Sequence, residues 1–329
     1  MLTPKENYMA MLRGDMPEYM PSYFEAYSAG IDEELLTPAR APDGPIVTSL
    51  GVTYVGSPDN NYGAMPAPGM NILDDITKWR DIVKTPDLTG RDWEGYYTKQ
   101  VEKIDRKNLA VMVGGGDYFL TLVSLMGFEN TLMALYEEPD EVKELLDYIS
   151  KFYITVLKQQ LRYVKPDIYV LMDDDAAYRA PFFSVDMYKE FFKPYHKLHC
   201  DLLKENGVLI ERHDCGKSEQ FIDDWLEIGI DGWGPCQISN DLKAVKKKYG
   251  GRLSLMGGWD SQGKLGSSEV DDETLIEALY EYVDTFAPGG RFAFMALIEP
   301  GKDNPAAVAK REVVKKFYDD YARDWYKKH

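Results

Sequence analysis

His213 and Cys215 stand two positions apart in the segment Glu211-Arg212-His213-Asp214-Cys215-Gly216, directly after the apolar run Val208-Leu209-Ile210. The run predicts a buried strand. Residues two apart on a strand point to the same side, so the imidazole and the thiol share a face, with Glu211 behind them. A nitrogen and a sulfur side by side at a strand end suit a soft-ligand cation such as zinc. The bland reading uses the same residues: free cysteine is often simply buried, and a core histidine is often only hydrogen-bonded.

The elements that would position this pair alternate along the chain. Thr3-Pro4-Lys5-Glu6 reads as a capped helix start. Pro21 to Tyr27 reads as a first strand, and residues 51–69, with Pro58, Asn60, Asn61, Gly63, Pro66 and Pro68, as a hairpin or long flap. Strands are expected at 109–113, 167–172, 208–214, 229–233, 252–256 and 291–296, separated by helical segments, with a final helix from Pro305 to Lys328. Seven or eight strand–helix repeats without an early GxGxxG favour a closed (β/α)8 barrel of the TIM type. In such a barrel the active site lies at the carboxyl ends of the strands. Asp173 to Asp175, His213 to Cys215, Cys236, Asp260 and Glu299 all fall there.

The 329 residues and their strand–helix rhythm fit one barrel domain, 1–329. A net charge of −17 argues against nucleic acid or an anionic membrane surface as partner. Three cysteines, Cys200, Cys215 and Cys236, are too few for a disulfide framework and predict a reducing, cytoplasmic setting. No apolar run approaches the roughly 18–20 residues of a membrane helix, and Met1 to Asn7 has no signal-peptide core. His196 and His199 share a helix face and read best as a surface pair. Gly114 to Gly116 reads as a close backbone approach, since it lacks the Lys-Ser/Thr of a phosphate loop.

Asp173-Asp174-Asp175, His213-Asp214-Cys215-Gly216, Gly229-Ile230-Asp231-Gly232-Trp233-Gly234-Pro235 and Gly257-Gly258-Trp259-Asp260 together resemble the uroporphyrinogen decarboxylase superfamily. The resemblance covers nearly the whole chain and implies a (β/α)8 barrel. The decarboxylase branch carries an Arg-rich early strand for a polycarboxylate substrate. The matching segment here, Ser22-Tyr23-Phe24-Glu25-Ala26-Tyr27, has no Arg, which matches such a substrate poorly.

The branch of zinc-dependent methyltransferases that serve corrinoid proteins is similar in its His-x-Cys element, here His213 and Cys215. That branch usually has a further Cys after the last strand, where this chain has Ile298. Cys236 is then the preferred third ligand, with Glu299 as the alternative. The resemblance is greatest to the methyltransferase components that demethylate aromatic methyl ethers. It implies zinc as cofactor, a corrinoid protein as partner and a small methyl donor as substrate. Asp174 and Asp260 are candidate catalytic residues, to orient ligands or protonate the leaving oxygen. Tyr23, Phe24 and Tyr27 are candidates to line a substrate pocket. The competing expectations are a metal-free lyase of the decarboxylase type and a non-catalytic barrel that binds a ligand.

Overall fold

The computed structural model describes residues 2–27, 31, 34–36, 40–57, 62–299 and 304–329. Helix Pro4–Arg13 begins at the expected capping box, with Thr3 and Glu6 each accepting from the other's backbone N–H. The stretch expected as a hairpin or flap belongs to a small antiparallel sheet of β1 (Ile46–Val47), β2 (Thr53–Val55) and β3 (Met65–Pro66). Val52 and Tyr54 anchor it in the main apolar core. Pro58, Asn60 and Asn61, from the expected flap, lie outside the described residues.

Six parallel strands follow: β4 (Met112–Gly115), β5 (Ile168–Leu171), β6 (Leu209–Arg212), β7 (Gly232–Cys236), β8 (Ser254–Gly257) and β9 (Phe292–Ala293). Each is hydrogen-bonded to the next in chain order. The segment Pro21–Tyr27 joins the two edges. Ser22 bridges Phe294 just past β9, and Tyr27 bridges Ala110 just before β4, both in parallel. Between these bridges the chain turns, with Glu25 N donating to Ser22 O, so the seam is not a continuous ladder. The ring is an α/β barrel of the TIM type, traced by these seven segments among the described residues.

Alternation along the strands sorts the apolar side chains into two layers. Ile168, Leu209, Met256 and Ala293 point inward and pack on Tyr8, Met9, Met11 and Leu12, so the first helix plugs the lower end. Tyr169, Leu171, Ile210, Leu255 and Phe292 point outward and join the larger core beneath the surrounding helices. Gly116 permits the close approach expected of the triple glycine, because a Cβ there would stand 2.8 Å from Leu171 Cδ1. Among the described residues, no single helix is long and apolar enough to cross a membrane.

Candidate metal centre

Strands β5 and β6 lie side by side with Leu171 opposite Arg212, so their exits, Asp173 to Asp175 and His213 to Cys215, are neighbours. Backbone pairing continues past the strand ends. His213 N donates to Leu171 O at 3.0 Å and Asp173 N to His213 O at 3.3 Å. The extended chain therefore keeps its period of two, and the side chains fall into two interleaved sets.

Asp174, His213 and Cys215 form the partly exposed set. One ligand atom from each lies within 4.8 Å of the others, and no other group of three His, Cys, Asp or Glu does so among the described residues. His213 Nε2 stands 3.7 Å from Cys215 Sγ and 3.7 Å from Asp174 Oδ1. Cys215 N donates to Asp174 Oδ1 at 2.8 Å, which fixes the carboxylate. Both His213 and Asp174 remain about one-third exposed, at 31% and 32%. A tetrahedral zinc ion with bonds of about 2.0–2.3 Å would space its ligand atoms by roughly 3.3–3.6 Å. The two distances from His213 Nε2, both 3.7 Å, lie within a few tenths of an ångström of that spacing, and all three donor atoms lie within 4.8 Å of one another.

The protonation states suit the same use. Burial lowers the His213 pKa despite the opposing pull of Asp174, leaving a neutral imidazole able to donate a lone pair. Burial, with Asp174 and Asp214 nearby, pushes the Cys215 thiol well above its ordinary value. The thiol therefore holds its proton in the metal-free chain.

Asp173, Asp175, Arg212 and Asp214 form the second set, and all four are fully buried. Arg212 Nη2 donates to Asp175 Oδ2 at 2.6 Å and to Asp214 Oδ2 at 2.7 Å. Asp173 accepts from Phe119 N and Leu120 N, at 2.9 and 3.0 Å, and so holds the start of helix Tyr118–Met126. Asp214 Oδ1 accepts from Ser218 Oγ at 2.6 Å. Burial raises Asp173 and Asp175 to about 7 even beside the guanidinium, because removal from water outweighs its attraction.

Inside the barrel, Glu211 lies behind His213 as strand alternation requires. Its carboxylate accepts from Tyr27 Oη at 2.8 and 2.9 Å and from Tyr8 Oη at 2.9 Å. Burial raises it to about 7, against the lowering effect of these hydroxyls. Tyr23 meets Tyr27 edge to face at 4.8 Å, and both remain partly exposed above the inner core with Met112 and Met295.

The other expected site residues lie elsewhere. Cys236 is 2% exposed within the outer core, apart from the His213–Cys215 pair. The pairing of β7 with β8 shifts register between Trp233 and Cys236, and this irregularity reverses the side on which alternation would place the thiol. Glu299 is exposed and lines a cleft of about 600 Å³ with Arg40 and Arg311. Asp260 lines a different cleft, of about 320 Å³, with Leu242 and Phe286. Phe24 is 58% exposed; its ring meets Tyr23 edge to face at 5.0 Å and lines the same cleft as Glu299. His196 and His199, expected on the surface, are buried. His199 lies between Tyr118 Oη at 3.0 Å and Tyr169 Oη at 3.2 Å, and His196 beside Arg212 and Tyr188.

The family model for uroporphyrinogen decarboxylase (URO-D) matches residues 72–288. The chain belongs to the URO-D family. The matched URO-D region includes Asp174, His213 and Cys215, together with the four buried residues interleaved with them. No curated protein sequence matches the chain. Among solved structures, a methyltransferase from Methanosarcina mazei is similar with a TM-score of 0.65 and 16% sequence identity, over 97% of this chain and 100% of that chain. At that identity the likeness shows the fold alone, over nearly the whole chain.

Proposed function

We propose that this URO-D family barrel is a zinc-dependent methyltransferase that moves a methyl group from a small donor, an aromatic methyl ether, to the corrinoid of a partner protein. The observation that carries the reading is the convergence of Asp174, His213 and Cys215 at the carboxyl ends of adjacent barrel strands. The Methanosarcina mazei protein, a methyltransferase by name, supports the reaction class. Asp174 replaces Cys236 and Glu299 as the third ligand in this proposal. The three free cysteines suit a reducing, cytoplasmic setting.

Asp174, His213 and Cys215 would hold a zinc ion, which would supply Lewis acidity to the donor oxygen. The chain's own residues supply the rest. Neutral His213 and the fixed carboxylate of Asp174 define the rim. Tyr23, Tyr27, Met112 and Met295 offer an apolar, aromatic floor to the body of the donor. The donor's C–O bond would break as its methyl group passes to a reduced Co(I) corrinoid, which supplies the electron pair of the new bond. The oxygen keeps the bonding pair and takes a proton at the water-accessible rim.

Methoxylated aromatics, methylamines and methanol, each offered with free cob(I)alamin, test the proposal. The expected result is turnover with the aromatic ethers that is lost on chelation and in Cys215→Ala. Turnover that survives chelation would contradict the role of the metal. Tight ligand binding without turnover of any donor would favour a binding barrel.

A further inference from the structure

Arg212 joins the two loops that carry the proposed ligands, yet it touches none of the three ligand atoms. We infer that Arg212, through Asp175 and Asp214, is a positioning residue that sets the spacing of Asp174, His213 and Cys215 before any cation binds. The inference rests on the metal reading above and adds the device that preorganises it.

The geometry is specific. Arg212 precedes His213, Asp214 separates His213 from Cys215, and Asp175 follows Asp174. One guanidinium nitrogen spans both loops at 2.6 and 2.7 Å. Sliding either loop by one residue would exchange the buried and partly exposed sets, pulling the guanidinium away from its carboxylates. The same slide would disperse the nitrogen, sulfur and oxygen donors.

A stabilising role alone accounts poorly for this arrangement. Replacing a buried ion cluster by apolar residues of similar volume is often neutral or stabilising, because removing the charges from water costs about as much as their attraction returns. Two carboxylates on one guanidinium nitrogen, all three groups fully buried, make an expensive way to hold two loops together. Fixed geometry at an adjacent site is a use that apolar packing would not serve equally well. Outer partners of metal ligands act in this way, and their loss typically weakens metal binding by roughly 10- to 100-fold.

The test measures zinc affinity by competition with a chromophoric chelator, Co(II) absorption spectra, and melting temperatures of the metal-free proteins. Asp175→Ala removes the ion pair to the β5 loop while leaving Arg212 its pairing with Asp214 and its longer bond, 3.4 Å, to Met172 O. Arg212→Lys keeps the charge without the planar fork. Asp224→Ala is the control, because it breaks a partly buried ion pair far from the ligands in sequence, Lys193 to Asp224 at 2.7 Å, between two outer helices. The expected result is that Asp175→Ala and Arg212→Lys bind zinc about 10- to 100-fold more weakly and give altered Co(II) spectra. Asp224→Ala should melt earlier but keep its zinc affinity within about threefold and its Co(II) spectrum unchanged. Unaltered affinity and spectra in Asp175→Ala would overturn the positioning role even if Arg212→Lys failed to fold. Equal weakening in Asp224→Ala would overturn it too. A reference chain that binds no zinc in a Cys215-dependent way would overturn the metal centre itself, a failure visible before any variant is compared.

Discussion

Cys215 Sγ lies 3.7 Å from His213 Nε2, on side chains two positions apart along one strand exit. Asp174, on the neighbouring exit, stands 3.7 Å from the same nitrogen. Two adjacent strands thus supply three chemically different donors, and the barrel needs no distant loop to complete the set.

The first expected outcome separates the ligands by substitution. Asp174→Ala, His213→Ala and Cys215→Ala should each weaken zinc binding by more than the roughly 10- to 100-fold typical of losing an outer partner. Cys236→Ser and Glu299→Gln should retain full zinc content, because neither residue belongs to the ligand group. Metal analysis after gel filtration checks both halves. Loss of zinc in Cys236→Ser with retention in Asp174→Ala would reverse the assignment.

Zinc binding should release a proton. The Cys215 thiol is pushed well above its ordinary value, chiefly by burial, whereas the His213 imidazole is already neutral. A thiol must lose its proton to bind zinc, so affinity should rise with pH. Calorimetry in two buffers of different ionisation enthalpy should report about one proton released per zinc. Zero release would exclude the thiol as a ligand.

His199 should make the fold labile on the acid side. Burial, assisted by His196, pushes its pKa from 6.5 down to about 3. Between those values the unfolded chain holds more protons than the folded one, so stability falls as pH falls. One such proton corresponds to about 1.4 kcal/mol per pH unit. Urea unfolding of His199→Gln between pH 7 and 5 should show a pH slope shallower by up to that amount. An unchanged slope would mean that the imidazole titrates normally in the folded protein.

Much of this was legible from period and composition. The strand–helix rhythm specified the barrel, and alternation placed His213, Cys215 and Glu211 on one face, as observed. The third member of the cluster was less accessible: the expectation was Cys236 or Glu299, and bringing Asp174 beside His213 and Cys215 requires the register between strands. The shift in β7–β8 pairing moves Cys236 into the outer core, and no single-strand pattern announces it. The same alternation held an unused signal. Counting backwards and forwards from His213 assigns Arg212 and Asp214 to the opposite face, and Asp173 and Asp175 flank Asp174 in the same way. His196 and His199 misled because two histidines on a helix face look alike whether that face meets solvent or, as here, buried tyrosine hydroxyls.

Zinc is expected to bind among Asp174, His213 and Cys215. Anomalous scattering collected on both sides of the zinc edge, from crystals of protein purified without chelator, tests it most directly. The expected result is one strong zinc peak at the exits of β5 and β6, about 2.3 Å from Cys215 Sγ and about 2.0–2.2 Å from His213 Nε2 and a carboxylate oxygen of Asp174. No zinc peak there after soaking in excess zinc, or a peak bound instead by Cys236, would contradict it.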